Sequence, residues 1–364
     1  VRRIAATHPN GAALRVKNRG IWREINWAEY WDQVETFGHA LLASGIEVGD
    51  RVAIHSENRP EWLFTDVGTI AVRATCMGLY PTNPTTEVKY LLQNSGSRLL
   101  VVEDQEQADK VLAIPADELR FLERIVYIEQ RGTDRYHDPR LVSWDVFMEE
   151  GRAHRAAHPG EVERRMAAAQ ERDLAYLIYT SGTTGPPKGA MITHGNIFWV
   201  VQSLDRIRPH FATDRDCTVP FLPLSHVFER IAGHFYGMYC GITASYAQSI
   251  DTLLMDFEEK RPTMILARTQ QGRGVSFTEG RAEWHARAPQ PDEHAGGDRE
   301  ILALVPDHRR GLAAFFENDD TLAAVGQVVV AARIEAGDDV FHGILGSQDQ
   351  DRQRSTGAQP PAAF

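Results

Sequence analysis

The chain has 364 residues, 43% of them hydrophobic and 24% charged, and a formal net charge of -11 at pH 7. That length can hold two or three domains with real cores, and the acidic balance argues against a nucleic-acid binder, which normally presents a basic face. No run of about 18 apolar residues occurs, which excludes a membrane-spanning helix, and the opening VRRIAATHPNGAAL lacks the apolar core of a signal peptide.

In chain order, NWAEYWDQVETFGHALLASGI repeats apolar residues at three- and four-residue steps from Trp27 to Leu42 and stops at Gly45. That pattern predicts an amphipathic helix with a glycine stop. The RVAI of GDRVAIHSEN predicts a short strand, and RPEWLFTDVGTIAVRAT a helix. SRLLVVED and then RIVYIE are apolar runs bounded by charge, as buried strands are. The polar, aperiodic RGTDRYHDPRLVSWD is expected to be surface loop, and HPGEVERRMAAAQERD a linker. LAYLIYT is a continuous apolar strand, and MITHGNIFWVVQSL is expected to be a helix capped near Thr193 or Asn196. Strands alternating with helices predict an α/β fold of mostly parallel sheets flanked by helices. Cys76, Cys217 and Cys240 are odd in number and lack C-x-x-C spacing, which fits neither a disulfide framework nor a zinc site. Buried spectators in a reducing cytosol are expected.

Between LAYLIYT and the helix lies TSGTTGPPKGA. A Walker A loop needs a glycine directly before its lysine and a hydroxyl directly after it. Here Pro187 precedes Lys188 and Gly189 follows, so that reading fails, and no G-x-G-x-x-G fingerprint follows the strand either. A surface loop rich in Gly and Thr by chance is the plain alternative. Glycines, hydroxyls and a lysine behind a buried strand are, however, what backbone cradling of phosphate requires.

The stretch YTSGTTGPPKGAMITHGN, from Tyr179 to Asn196, resembles the signature of the adenylate-forming enzymes, the superfamily of acyl-CoA synthetases, luciferases and adenylation domains. FLPLSHVFER, from Phe221 to Arg230, resembles the second signature of the long-chain fatty acyl-CoA synthetases, and GDRVAIHSENRPEW, LYPTNPTTEVKYLLQNSGSRLLVVED and GHFYGMYCGITASYAQSIDTLLMDFEEKRPTMILA agree with that branch in order. The resemblance implies a long-chain fatty acid–CoA ligase that makes acyl-AMP from a fatty acid and ATP, then acyl-CoA with coenzyme A. It implies that Thr180, Ser181, Gly182, Thr183, Thr184, Gly185 and Lys188 wrap the ATP phosphates. It also implies that Thr180 helps hold Mg²⁺ and that His226 lies near the substrate carboxylate, with His226 and Lys188 as the catalytic groups. GHFYGMYCGI is compatible with the lining of an acyl tunnel and equally with plain core. A cytoplasmic protein with at most peripheral membrane contact, and no nucleic acid among its partners, is expected.

The resemblance runs from Trp22 to Ala267, and the expected organisation is 1–267 as the amino-terminal part of an AMP-binding domain and 268–364 as a tail without resemblance. No tyrosine follows Tyr246 and no lysine follows Lys260, so the family's Y-G-x-T-E adenine motif and carboxy-terminal lysine are missing from this sequence. A reading-frame shift near Ala267 or fusion to an unrelated tail would explain this, and the ending GSQDQDRQRSTGAQPPAAF is disordered by composition. The first residue, Val1, reads as a missing start or an alternative start codon taken literally. An inactive ligase chain is the expectation. A non-catalytic nucleotide- or lipid-binding remnant, or another adenylate-forming ligase, stays open beside it.

Overall fold

The computed structural model describes residues 1–133, 135–180, 186–207, 212–247, 252, 253, 255 and 256, and the backbone alone of two short strands at 265–267 and 328–330. Helix α1 (Arg2–Thr7) leads into a hairpin of β1 (Ala12–Asn18) and β2 (Ile21–Asn26). The two residues between these strands, Arg19 and Gly20, have φ of 50° and 77°. Two left-handed residues in succession make the tight turn whose twist matches a hairpin. The sequence pattern did not single this hairpin out, because its strands are short and largely polar.

Helix α2 (Trp27–Ala43) follows the predicted pattern, and its start is chemically specified. The Asn26 side chain accepts from the Glu29 N–H at 2.8 Å, and the Glu29 carboxylate accepts from the Asn26 N–H at 2.9 Å. This reciprocal cap satisfies two otherwise orphaned donors. Gly45, with φ of 74°, lies just past its end as expected. Then come β3 (Arg51–His55), α3 (Pro60–Ala71), β4 (Thr75–Leu79), α4 (Thr85–Ser95), β5 (Leu99–Val102), α5 (Gln105–Leu112) and β6 (Arg124–Tyr127).

Three expectations fail beyond this point. The segment expected to be loop contains β7 (Leu141–Ser143) and the first residues of α6 (Trp144–Ala157), and the expected linker contains α7 (Glu161–Ala167). Both β7 and α7 are short and bury little besides Val142 and Val162, so they leave almost no periodic signal. After β8 (Leu174–Thr180) the residues Lys188–Thr193 form a strand, β9, and only then does α8 (His194–Ile207) begin. The cap itself lies where expected, with the Asn196 N–H donating to the Thr193 hydroxyl at 3.2 Å and the Thr193 N–H donating to the Asn196 side chain at 3.0 Å.

Strands β3 to β9 form one seven-stranded sheet in the order β7-β6-β5-β3-β4-β8-β9, parallel throughout except for the antiparallel β8–β9 pair. Its faces are sorted by the two-residue period of a strand. Val52, Ile54, Leu99, Val101, Val126 and Tyr176 join the core beneath α2, α3 and α6. Ala53, Met77, Leu100, Val102 and Ile125 join the core beneath α4 and α5. Burial on both faces is why β5 reads as an uninterrupted LLVV. A second sheet, ordered β10-β11-β1-β2, adds β10 (Cys217–Thr218) and β11 (Thr243–Tyr246) beside the first hairpin, with a short π-helix (Glu229–Phe235) and α9 (Tyr236–Cys240) between them. The backbone of β12 (Ile265–Ala267) pairs antiparallel with that of β13 (Val328–Val330).

Candidate functional site

Two segments meet the carboxyl edge of the seven-stranded sheet, which is where open α/β sheets gather ligands. The first is the β8–β9 hairpin. Its ladder sets Thr180 opposite Lys188 and Tyr179 opposite Gly189, so the closing pair of the loop is the threonine and the lysine. Lys188 is exposed. Ser181, Gly182, Thr183, Thr184 and Gly185 lie outside the described residues, as does the Thr180 side chain.

Helix α4 braces the hairpin. The Tyr90 hydroxyl donates to the Pro187 carbonyl at 2.9 Å, and the Tyr179 hydroxyl donates to the Asn94 side-chain oxygen at 2.7 Å. Gly189 has a packing reason as well as its place in the signature. A Cβ there would come within 3.1 Å of the Tyr179 ring, so glycine leaves room for an aromatic laid across the ladder.

The second segment is FLPLSHVFER. It is tied to the end of β3 by Asn58, whose amide donates to the Leu222 carbonyl at 2.7 Å and accepts from the Leu224 N–H at 2.8 Å. One side chain thereby imitates a neighbouring strand. On β4, Gly78 lets the segment settle, since a Cβ there would lie 2.9 Å from the Ser225 Cα. His226 is half-buried. Its backbone N–H donates to Pro223 at 2.9 Å, and its Nδ1 accepts the Phe228 N–H at 3.2 Å. An Nδ1 that accepts from a backbone amide puts the proton of the neutral ring on Nε2.

The next residue pair was not singled out for chemistry, and both members are buried. Burial pushes the Glu229 carboxyl up to about 7, against the pull of His226. Arg230 is fully buried and paired with Asp66 of α3, also fully buried, through Nη2–Oδ1 and through Nε–Oδ2 at 3.3 Å. The Tyr176 hydroxyl donates to the same carboxylate at 3.3 Å, and the guanidinium lies 3.5 Å from the centre of the Tyr176 ring and 4.9 Å from that of Trp62. A polar residue in the apolar run WLFTDVGTIA was the available hint for Asp66. Nothing local marked Tyr176 or Asn58.

Of the two uses left open for GHFYGMYCGI, plain core is the one seen among the described residues. Tyr236 is core, while Gly233, His234, Gly237 and Met238 line a cavity of about 20 Å³ shared with Tyr30, Glu229 and Tyr246. That volume suits a single water rather than an acyl chain. Of the cysteines only Cys76 is buried, and Cys217 and Cys240 are partly exposed, which corrects the expectation of three buried spectators. Among the described residues no cluster of His, Cys, Asp or Glu could hold a metal ion by itself, and no helix is long and apolar enough to cross a membrane.

A family model described as AMP-binding enzyme matches residues 1–290. A human protein named long-chain-fatty-acid–CoA ligase ACSBG2 is 31% identical over 262 residues, 71% of this chain and 38% of its own length. The long-chain-fatty-acid–CoA ligase FadD15 of Mycobacterium tuberculosis is 29% identical over 248 residues, 68% of this chain and 39% of its own. The chain therefore spans well under half the length of the curated relatives it matches. Among solved structures, the anthranilate CoA ligase AuaEII in complex with anthranoyl-AMP superposes with a TM-score of 0.61 at 22% identity, over 72% of this chain and 47% of that one. The amino-terminal domain of FACL13 from Mycobacterium tuberculosis gives 0.58 at 22% identity, over 72% and 60%. At that identity these two speak for the fold.

Proposed function

The chain belongs to the AMP-binding enzyme family, and from that premise we propose that it derives from a long-chain fatty acid–CoA ligase and retains the phosphate-binding half of the site. In the reaction of such a ligase, a carboxylate oxygen attacks the α-phosphorus of ATP, the bond to the β-phosphate oxygen breaks, and pyrophosphate leaves. The thiolate of coenzyme A then attacks the acyl carbonyl, and AMP departs with the electron pair of the broken C–O bond. The thiol proton goes to solvent.

The observation that carries the reading is the hairpin closure, Thr180 opposite Lys188 at the carboxyl edge of the sheet. Glycines and hydroxyls between that pair are the residue types that cradle an anion, and the lysine brings a positive charge. We assign Thr180, Ser181, Gly182, Thr183, Thr184, Gly185 and Lys188 to the β- and γ-phosphates, and His226 to the carboxylate side. Magnesium enters as part of Mg·ATP. Such an ion keeps phosphate and water ligands and needs only one or two from the protein, so one hydroxyl, that of Thr180, is enough. Catalysis in this scheme is positioning and neutralisation of phosphate charge. A cytosolic setting with peripheral membrane contact fits an enzyme that takes a fatty acid and a nucleotide.

A second reading is a nucleotide-binding chain without turnover, since residues 268–364 contain neither tyrosine nor lysine. Calorimetry with Mg·ATP tests the site, and fatty-acid-dependent pyrophosphate release separates the readings. Lys188→Ala is expected to weaken ATP binding by about 1.5–3 kcal/mol, the worth of a charged hydrogen bond. Equal affinities for a folded variant and the wild type would remove the phosphate assignment. Pyrophosphate release well above that of the Lys188→Ala control would favour the ligase over the remnant.

A further inference from the structure

A fully buried ion pair is a poor way to gain stability, because desolvation cancels most of its attraction and apolar residues of the same volume pack as well. The pair of Arg230 and Asp66 has no solvent exposure on either side chain. Arg230 Nη1 is also buried without a hydrogen-bond partner among the described residues, a cost that a structural filler would not need to carry. What the arrangement supplies is direction. The planar guanidinium is held edge-on by the carboxylate and face-on by the Tyr176 ring, so rotation and translation are both restricted.

Its connections run to both halves of the proposed site. Tyr176 lies on β8, four positions ahead of Thr180, on the strand that delivers the phosphate loop. Asp66 belongs to α3, and its carboxylate takes hydrogen bonds from Arg230 and Tyr176 together. On the other side, the Arg230 backbone N–H donates to the His226 carbonyl at 3.1 Å, at the start of the turn that enters the π-helix. Single-turn π segments recur where a helix must aim a side chain.

We propose that Arg230, with Asp66 and Tyr176, is a positioning residue: it fixes the His226 segment against β8, so that the imidazole and the phosphate loop hold one relation to each other. The inference rests on the reading of the loop as a phosphate site and assigns Arg230 no contact with substrate. Loss of the network should uncouple His226 from nucleotide bound at the loop, while the loop keeps its own affinity.

The test uses the full chain, with the His226 imidazole signal identified by NMR through its loss in His226→Gln. In the wild type, Mg·ATP is expected to shift that signal. The double variant Asp66→Asn/Arg230→Met removes both charges with little change of volume. It is expected to fold and to bind Mg·ATP within about threefold of wild type, a difference of under 1 kcal/mol, while losing most of the His226 shift. Arg230→Lys keeps the charge but not the planar fork; it is expected to lose part of the shift, and it serves if the double variant does not fold. A full His226 shift in either folded variant overturns the proposal and leaves the phosphate reading standing. A wild-type chain that binds ATP with no His226 shift also overturns it. Failure of the wild type to bind ATP overturns the phosphate reading itself and takes the proposal with it.

Discussion

The interior of the seven-stranded sheet and the hairpin at its β9 edge are held in different ways. In the interior every residue of β5 is buried, and Phe37 of α2 stacks on Trp144 and meets Phe147 at a tilt, both of α6 and each 5.4 Å away between ring centres. At the edge, Met191 is 71% exposed, and α8 turns Phe198 and Trp199 outward, the latter 70% exposed. The interior is held by packing on two faces; the hairpin has one packed face and two tyrosine hydrogen bonds with α4, one donated by Tyr90 and one accepted by Asn94. Loops and edges set on a rigid frame are where binding residues are usually found, because they have the weaker local constraints that ligands can use. The site proposed above follows that division: His226 and Thr180 hang from buried supports, while Lys188 stands in the open.

The sharpest way to break this comparison is to remove an interior ring. Phe37→Ala is expected to cost about 3–5 kcal/mol, transfer plus cavity, read as a lower urea midpoint at unchanged slope. A loss below about 1 kcal/mol, the scale of an ordinary surface change, would show that the α2–α6 seam is not tightly packed.

A second test uses pH. His39, buried on α2 with its Nδ1 3.0 Å from that of His154, is held down to about 4 by burial and then by the His154 and Arg155 charges. A histidine whose folded pKa lies below its unfolded 6.5 contributes stability that is full above pH 6.5 and is lost as pH falls toward 4. Glu35 works the other way. Burial raises it to about 6, so its contribution is present at low pH and is lost as pH rises from 4.5 through 6. The histidine effect is the larger of the two and His55 repeats it at the end of β3, also held down to about 4 by burial and then by the Lys110 charge. These three groups together are therefore expected to lower stability by about 3 kcal/mol between pH 6.5 and 4, since each tenfold change in proton affinity on folding is worth about 1.4 kcal/mol. His39→Gln should flatten part of that slope; an unchanged slope would remove the seam as its source.

The smallest effect belongs to the hairpin. Tyr90→Phe removes one hydrogen bond to Pro187 and should cost about 0.5–1.5 kcal/mol. Hydrogen exchange is expected to speed up at β9 amides and to stay unchanged at β5. Equal acceleration in both would mean that the hairpin and the interior open as one unit.

Much of the scaffold was legible because its signals are local. A strand covered on both faces must be apolar throughout, so SRLLVVED and LAYLIYT announced β5 and β8, and Gly45 marked the end of α2. The family signatures at Tyr179–Asn196 and Phe221–Arg230 were legible by resemblance, through runs of neighbouring residues. The failures share a cause. Lys188–Thr193 read as the end of the loop and the lead-in to a helix because an edge strand with one exposed face has no continuous apolar run, and its identity comes from the partner it pairs with. The segment carrying β7 is dominated by charge and turn residues, and α7 buries too little to repeat.

The sequence by itself determined the alternation of helix and strand, the glycine- and hydroxyl-rich loop behind a buried strand, and the absence of tyrosine and lysine beyond 246 and 260. Tertiary structure alone decided that Thr180 faces Lys188, that Asn58 grips a segment 164 to 166 residues away, and that Arg230 meets Asp66 across 164 residues. Periodicity reports which face of an element is apolar, but it carries no information on which distant element that face will meet. Register and long-range pairing are settled only when the faces pack, and a shift of one residue between β8 and β9 would give Thr180 a partner other than Lys188.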